Sequence, residues 1–144
     1  MKYLALLFIL VLLGAASCKK EEEGPTVMHN NPGATAIDTV ARGVFTSYQH
    51  SLSGSALLYT DVNNATVLQL DNFNMTSGPD VHVFLSKTAS YSAGNILDLG
   101  QLTGGFTNST LSYTLNGYDA TYKYVLVYCV TYSALFGYTE LINE

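Results

Sequence analysis

The chain has no tryptophan, three prolines and two cysteines in 144 residues, and only 12% of its side chains carry charge. Two cysteines cannot build the disulfide framework of a small secreted scaffold, so a domain here must rest on an apolar core. The charged share is about half that of an ordinary soluble domain. Six Lys and Arg stand against eleven Asp and Glu, a formal net charge of −5. So acidic a chain suits neither nucleic acid nor anionic lipid headgroups, and no nucleic-acid partner is expected. No Gly-x-Ser-x-Gly elbow and no phosphate loop occur, and no acid pair is set apart for hydrolysis. Hydrolase chemistry has no residue pattern behind it, and nothing marks the chain as an enzyme.

No apolar run is long enough to span a membrane as a helix. The longest, Leu4 to Leu13, is the length of the apolar part of an export signal. Lys2 precedes it, and Gly14-Ala15-Ala16-Ser17 follow, small residues that end at Cys18. This order resembles the bacterial lipobox, in which cleavage precedes a diacylated cysteine. Residues 1–17 are then a lipoprotein signal peptide, and Cys18 is the lipidation site. Removing Lys2 with the signal takes the net charge from −5 to −6. Acyl chains on Cys18 would tether the mature protein to a membrane without spanning it. The expected location is that of a bacterial outer-membrane lipoprotein, facing the periplasm or exposed at the surface. The tether Lys19-Lys20-Glu21-Glu22-Glu23 resembles a surface-export tag, and is also what a solvated linker looks like. Residues 18–39, with Pro25, Pro32 and Gly33 and no apolar periodicity, read as the lipidated Cys and a flexible linker.

The remainder, residues 40–144, is rich in Thr, Ser, Val and Tyr in short runs broken by Gly and Asn. Strands are expected at Gly43–Gln49, Ser55–Thr60, Thr66–Asn72, Val81–Lys87, Thr110–Leu115, Tyr122–Tyr132 and Gly137–Ile142. No segment carries a long 3.6-residue apolar stripe, and Ile96 to Leu102 is too short for one. The expected fold is all-β, a single antiparallel sandwich or closed barrel.

With Cys18 lipidated, Cys129 is the one thiol left. Alternation along Tyr122–Tyr132 puts Val125, Val127, Cys129 and Thr131 on one face, and Leu126, Tyr128, Val130 and Tyr132 on the other. A cysteine among valines is either a small core residue or a redox thiol. The redox role needs access and a neighbouring cation or donor, and Lys123 is the nearest basic residue in sequence. His29 falls in the linker. His50 ends the first expected strand, and His82 alternates with Val81 and Val83. Histidine and Cys129 with an oxygen or Met75 would suit copper or haem iron, but no spaced ligand motif is present and no cofactor is predicted. Asp80 follows Ser77-Gly78-Pro79 and reads as a turn carboxylate ahead of a strand. Tyrosines crowd late, at Tyr113, Tyr118, Tyr122, Tyr124, Tyr128, Tyr132 and Tyr138, and a set exposed on one face would bind a partner or glycan.

Several features recur in one order. Gly43-Val-Phe45 precedes His50 and Ser53-Gly54-Ser-Ala56. Then come Leu68 to Phe73, the segment Ser77-Gly78-Pro79-Asp80-Val-His-Val-Phe-Leu-Ser86, Asp98-Leu-Gly100 and Tyr113. Val125-Leu-Val-Tyr-Cys129 leads to Phe136 and Leu141. From Ala41 to Ile142 this resembles the DM-thirteen domain of Skeletor-type animal proteins and bacterial lipoproteins. The resemblance implies an all-β domain that takes part in electron transfer through the cysteine matching Cys129. His50 and Asp80 match marked positions and, with His82, are possible accessory residues. Animal members sit beside haem-binding domains, so this chain would exchange electrons with a separate redox protein or a small redox molecule. The expected function is a lipid-anchored extracytoplasmic domain with a redox role through a lone cysteine. The alternative is a non-enzymatic surface module for a glycan or protein. A reachable thiol favours the first, a wholly buried one the second.

Overall fold

The computed structural model describes residues 36–144, without the side chains of Ala36 and Ile37. The readings on Lys2, the signal peptide, Cys18, the tether and His29 fall outside the described residues. Ten strands are present and no helix occurs among the described residues, so no helix there is long and apolar enough to cross a membrane. They are β1 (Ala36–Val44), β2 (Thr46–Ser47), β3 (Leu52–Asp61), β4 (Thr66–Met75), β5 (Val81–Ser86), β6 (Ile96–Leu102), β7 (Phe106–Leu115), β8 (Tyr124–Cys129), β9 (Ala134–Glu140) and β10 (Ile142–Asn143).

The strands form two antiparallel five-stranded sheets, ordered β10-β1-β3-β4-β7 and β2-β9-β8-β5-β6. They pack as a sandwich, which settles the choice between sandwich and barrel. Two strands change sheets. β1 passes into β2 at Phe45, and β9 passes into β10 at Leu141. Both pivots are buried apolar residues. The two runs cross closely beside Gly43, where a Cβ would strike the carbonyl of Glu140 and the Thr139 hydroxyl. Only glycine lets the backbones approach so near.

Alternation fills the space between the sheets. Ala56 and Leu58 of β3 and Leu68 and Leu70 of β4 face Val81, Val83 and Leu85 of β5 and Val125, Val127 and Cys129 of β8. Phe73 is fully buried and meets Phe45 and Phe106 edge to face, each with centroids 5.7 Å away. It sits at a bulge in β4, next to Asn72, whose φ is 48°.

Several boundaries differ from those expected. β1 starts at Ala36, inside the expected linker, because its backbone pairs with β3 from Ala36 opposite Asp61 onward. β3 begins before Gly54 because that residue, at φ +127°, absorbs a bulge and lets pairing with β4 continue to Leu52. β8 stops at Cys129 because Val130 to Ser133 turn back into β9, with Ser133 at φ 51°. β6 carries no alternating apolar pattern, yet it pairs along the whole of β5.

Phe73→Ala removes the ring that joins both ends of the aromatic row. A loss of about 3–5 kcal/mol is expected in denaturant unfolding, read as a lower midpoint at unchanged slope. A loss under about 1 kcal/mol would mean that the row is not a core element.

Candidate functional site

At one end of the sandwich the chain leaves β4 and reaches β5 through Thr76 to Asp80. Pro79 has no N–H and so suits the position just before a strand. Asp80 has φ 52°, a left-handed conformation that Asp tolerates better than most residues. Gly78 is packed under Phe136. A Cβ there would lie 2.8 Å from the ring and 2.9 Å from Val81. The corner therefore lies flat on the end of the core.

Cys129 lies directly beneath it. Its side chain is 1% exposed, and its Sγ donates a hydrogen bond to the Pro79 carbonyl at 2.8 Å. It is the free cysteine among the described residues. The expected face holds for Val125, Val127 and Cys129, which line the core, but not for Thr131, which lies exposed in the turn after β8. Lys123 does not approach the thiol. It stands at the far end of β8, where its amide donates to Ser86 and its carbonyl accepts from Leu141.

The corner is fastened to the β8–β9 turn. The Val130 amide donates to the Asp80 carbonyl at 3.0 Å, and the Thr131 hydroxyl donates to Asp80 Oδ2 at 2.9 Å. On the other side His82 faces Asp80 Oδ1 through Nε2 at 3.2 Å and both Asp98 oxygens through Nδ1 at 2.9 and 3.0 Å. Asp98 also accepts from the Gly100 amide at 2.8 Å, so its carboxylate is fixed. A neutral imidazole would turn a lone pair toward one of the two carboxylates. The imidazolium donates to both.

The proton affinities follow. Burial pulls the His82 pKa down, but the hydrogen bonds and charges of Asp98 and Asp80 outweigh it and hold the value above 6.5. The Thr131 hydroxyl lowers the Asp80 pKa below 3.8 against a smaller burial effect, and His82 lowers it further.

His50 joins the same end by a different route. Its ring stacks on Phe136 with centroids 4.1 Å apart, and Phe136 in turn covers Gly78. Asp80, His82 and Cys129 are thus brought to one corner, and His50 reaches it through Phe136. Met75 is in the core at 5% exposure. Among the described residues, no group of three or more His, Cys, Asp or Glu is arranged to hold a metal ion.

Residues 44–141 match the family model described as electron transfer DM13. The chain belongs to the DM13 family. No curated protein matches the chain, and no solved structure does. The DM13 match spans every residue of the corner and all of β8. Two partners in the DM13 corner were not legible as such in the sequence, Asp98 and Thr131. The Asp98-Leu-Gly100 spacing was a signal, since a carboxylate two residues before a bulged glycine can accept its amide. Thr131 gave none, because a turn rather than strand alternation brings it to Asp80.

The ionisation of the corner sets a pH window. The raised His82 pKa gives stability that is complete below about 6.5 and lost as pH rises through the folded value. The lowered Asp80 pKa gives stability that is complete above about 3.8 and lost as pH falls through its folded value. The corner is therefore firmest between these limits. In urea unfolding, the advantage of the natural protein over His82→Gln is expected to be steady from about pH 4 to 6.5, where His82 is protonated and the carboxylates are ionised, and to shrink above 6.5. An advantage unchanged from mildly acidic to alkaline pH would show that His82 charge plays no part.

Proposed function

We propose that this DM13 domain is an extracytoplasmic electron-transfer module, lipid-anchored at Cys18, whose redox group is the thiol of Cys129. The observation that carries the reading is the placement of Cys129 under the Gly78-Pro79-Asp80 corner. The DM13 match covers both segments, and one hydrogen bond joins them. The family description supports the redox role.

Burial at 1% exposure bars a partner from the sulfur while the corner is closed. Exchange then requires the corner to lift. Once exposed, the thiolate attacks one sulfur of a disulfide on a separate redox protein. The other sulfur leaves as a thiolate. A separate dithiol protein then attacks Cys129 Sγ with one thiolate, which breaks the mixed disulfide and expels the first partner's second thiolate. Its other thiol displaces Cys129 as a thiolate and closes its own disulfide, so two electrons pass from dithiol to disulfide through Cys129. Lifting breaks few contacts: the Cys129–Pro79, Val130–Asp80, Thr131–Asp80 and His82–Asp80 bonds, the Thr76–Ser51 backbone bond where the corner begins, and the packing of Gly78 on Phe136 and Val81. Segments held by so few bonds open without global unfolding. His50, stacked on Phe136 beside the corner, and the pair Asp80 and His82 are accessory in this scheme.

A second reading is favoured by the same burial. A thiol sealed in the core fits a non-enzymatic surface module for a glycan or protein, whose binding residues lie elsewhere.

Thiol labelling of the chain carrying Cys18→Ser distinguishes the two. The redox reading expects folded Cys129 to react slower than in denaturant by about a hundredfold or more, yet faster than global unfolding permits. Asp80→Asn, which weakens the clamp on both sides, is expected to speed it about tenfold. Labelling that tracks global unfolding in both proteins would remove Cys129 as the redox group. Separately, Cys18→Ser is expected to move the full-length protein from the detergent phase to the aqueous phase in cloud-point partitioning. Retention in detergent would refute the lipid anchor.

A further inference from the structure

The outer face of the second sheet carries an aromatic surface that the thiol chemistry does not use. Tyr128 neighbours Cys129 but points to the opposite side of β8. Its ring lies parallel to that of Tyr91, with centroids 4.2 Å apart and planes 3° from parallel. Tyr91 comes from the segment between β5 and β6, which folds back over the sheet. There it also meets Phe84 edge to face at 5.2 Å, and Phe84 is 2% exposed. Tyr91 is therefore held on two sides. Tyr138 on β9 and the 69% exposed Tyr48 complete the surface.

These four rings border a cleft of about 450 Å³, open at the surface, with Gln49 and Ser133 at its rim. That volume falls in the range of small-molecule sites. None of the residues lining it is charged. An ionic ligand would find no counter-charge here. A purely apolar one would strip water from tyrosine hydroxyls, Gln49 and Ser133 without replacing their hydrogen bonds. The chemistry that matches is a neutral ring with apolar faces and a hydroxyl-bearing edge. Such a ring lies flat on fixed aromatic faces while its edge pairs with the polar rim.

We infer that the cleft bordered by Tyr48, Tyr91, Tyr128 and Tyr138 is a binding site for a neutral saccharide. It does not depend on the redox reading, because the cleft and Cys129 lie on opposite faces of β8. Tyr91 and Tyr128 provide the pre-ordered platform, and Tyr48 adds a contact from the segment between β2 and β3.

Calorimetric titration of the full chain with neutral hexasaccharides of the α-glucan, β-glucan, xylan, mannan and chitin types tests it. At least one is expected to bind with Kd of about a millimolar or tighter. Tyr48→Ala and Tyr91→Ala are each expected to weaken that binding about tenfold, the worth of one aromatic contact. Tyr48→Ala guards against misfolding, since Tyr48 is exposed and its backbone bond to Phe136 survives the change. No binding by any probe at about ten times that concentration would overturn the proposal. So would binding that neither substitution alters, or tighter binding of an oligogalacturonate, whose charge the cleft should reject.

Discussion

The bond from the Cys129 thiol to the Pro79 carbonyl ties the inside of the domain to its surface. Beneath it lie the valines of β8 and β5, and above it lies a corner that makes few apolar contacts of its own. Gly78 allows the chain to pass close against the Phe136 ring, Pro79 presents the carbonyl, and Asp80 turns the chain into β5. The corner is held by polar contacts at its rim, and such contacts respond to protons where the core does not.

β8 divides the chemistry of the molecule. Its inner face carries Val125, Val127 and Cys129, and its outer face carries Tyr128 among the stacked rings. The two-residue period of a strand thus places a masked thiol and an aromatic cleft on adjacent residues without contact between them. A redox role and a binding role do not compete for side chains. The β8–β9 turn is the one segment they share, since Val130 and Thr131 hold the corner and Ser133 lies at the rim of the cleft.

Much of the inner face was legible from the sequence. The alternation gave the core side of β8 correctly as far as Cys129, failing at Thr131 where the strand has already turned, and the turn residues placed most strand breaks. The errors have local causes. Gly54 reads as a break but serves as a bulge within β3, since φ +127° costs glycine little. β6 was invisible because its partner β5 supplies the apolar side chains while β6 itself stays half exposed. Sandwich and barrel were indistinguishable because the difference lies at Phe45 and Leu141, where strands change sheets. The candidate site was half legible. Cys129, Asp80 and His82 stood out as residue types, but their association with Asp98 and Thr131 depends on register between strands. Tyr91 and Tyr48 lay outside the late cluster of tyrosines, and only the fold adds them to Tyr128 and Tyr138.

Native-state hydrogen exchange at the Val130 amide, which donates to the Asp80 carbonyl, reports directly on whether the corner lifts. The account predicts that Val130 exchanges through a local opening, well before the amides of Val125 to Val127 in the body of β8. Protection of Val130 equal to that of those core amides would mean that the corner opens only when the domain unfolds. Cys129 would then be a core residue without access to a partner.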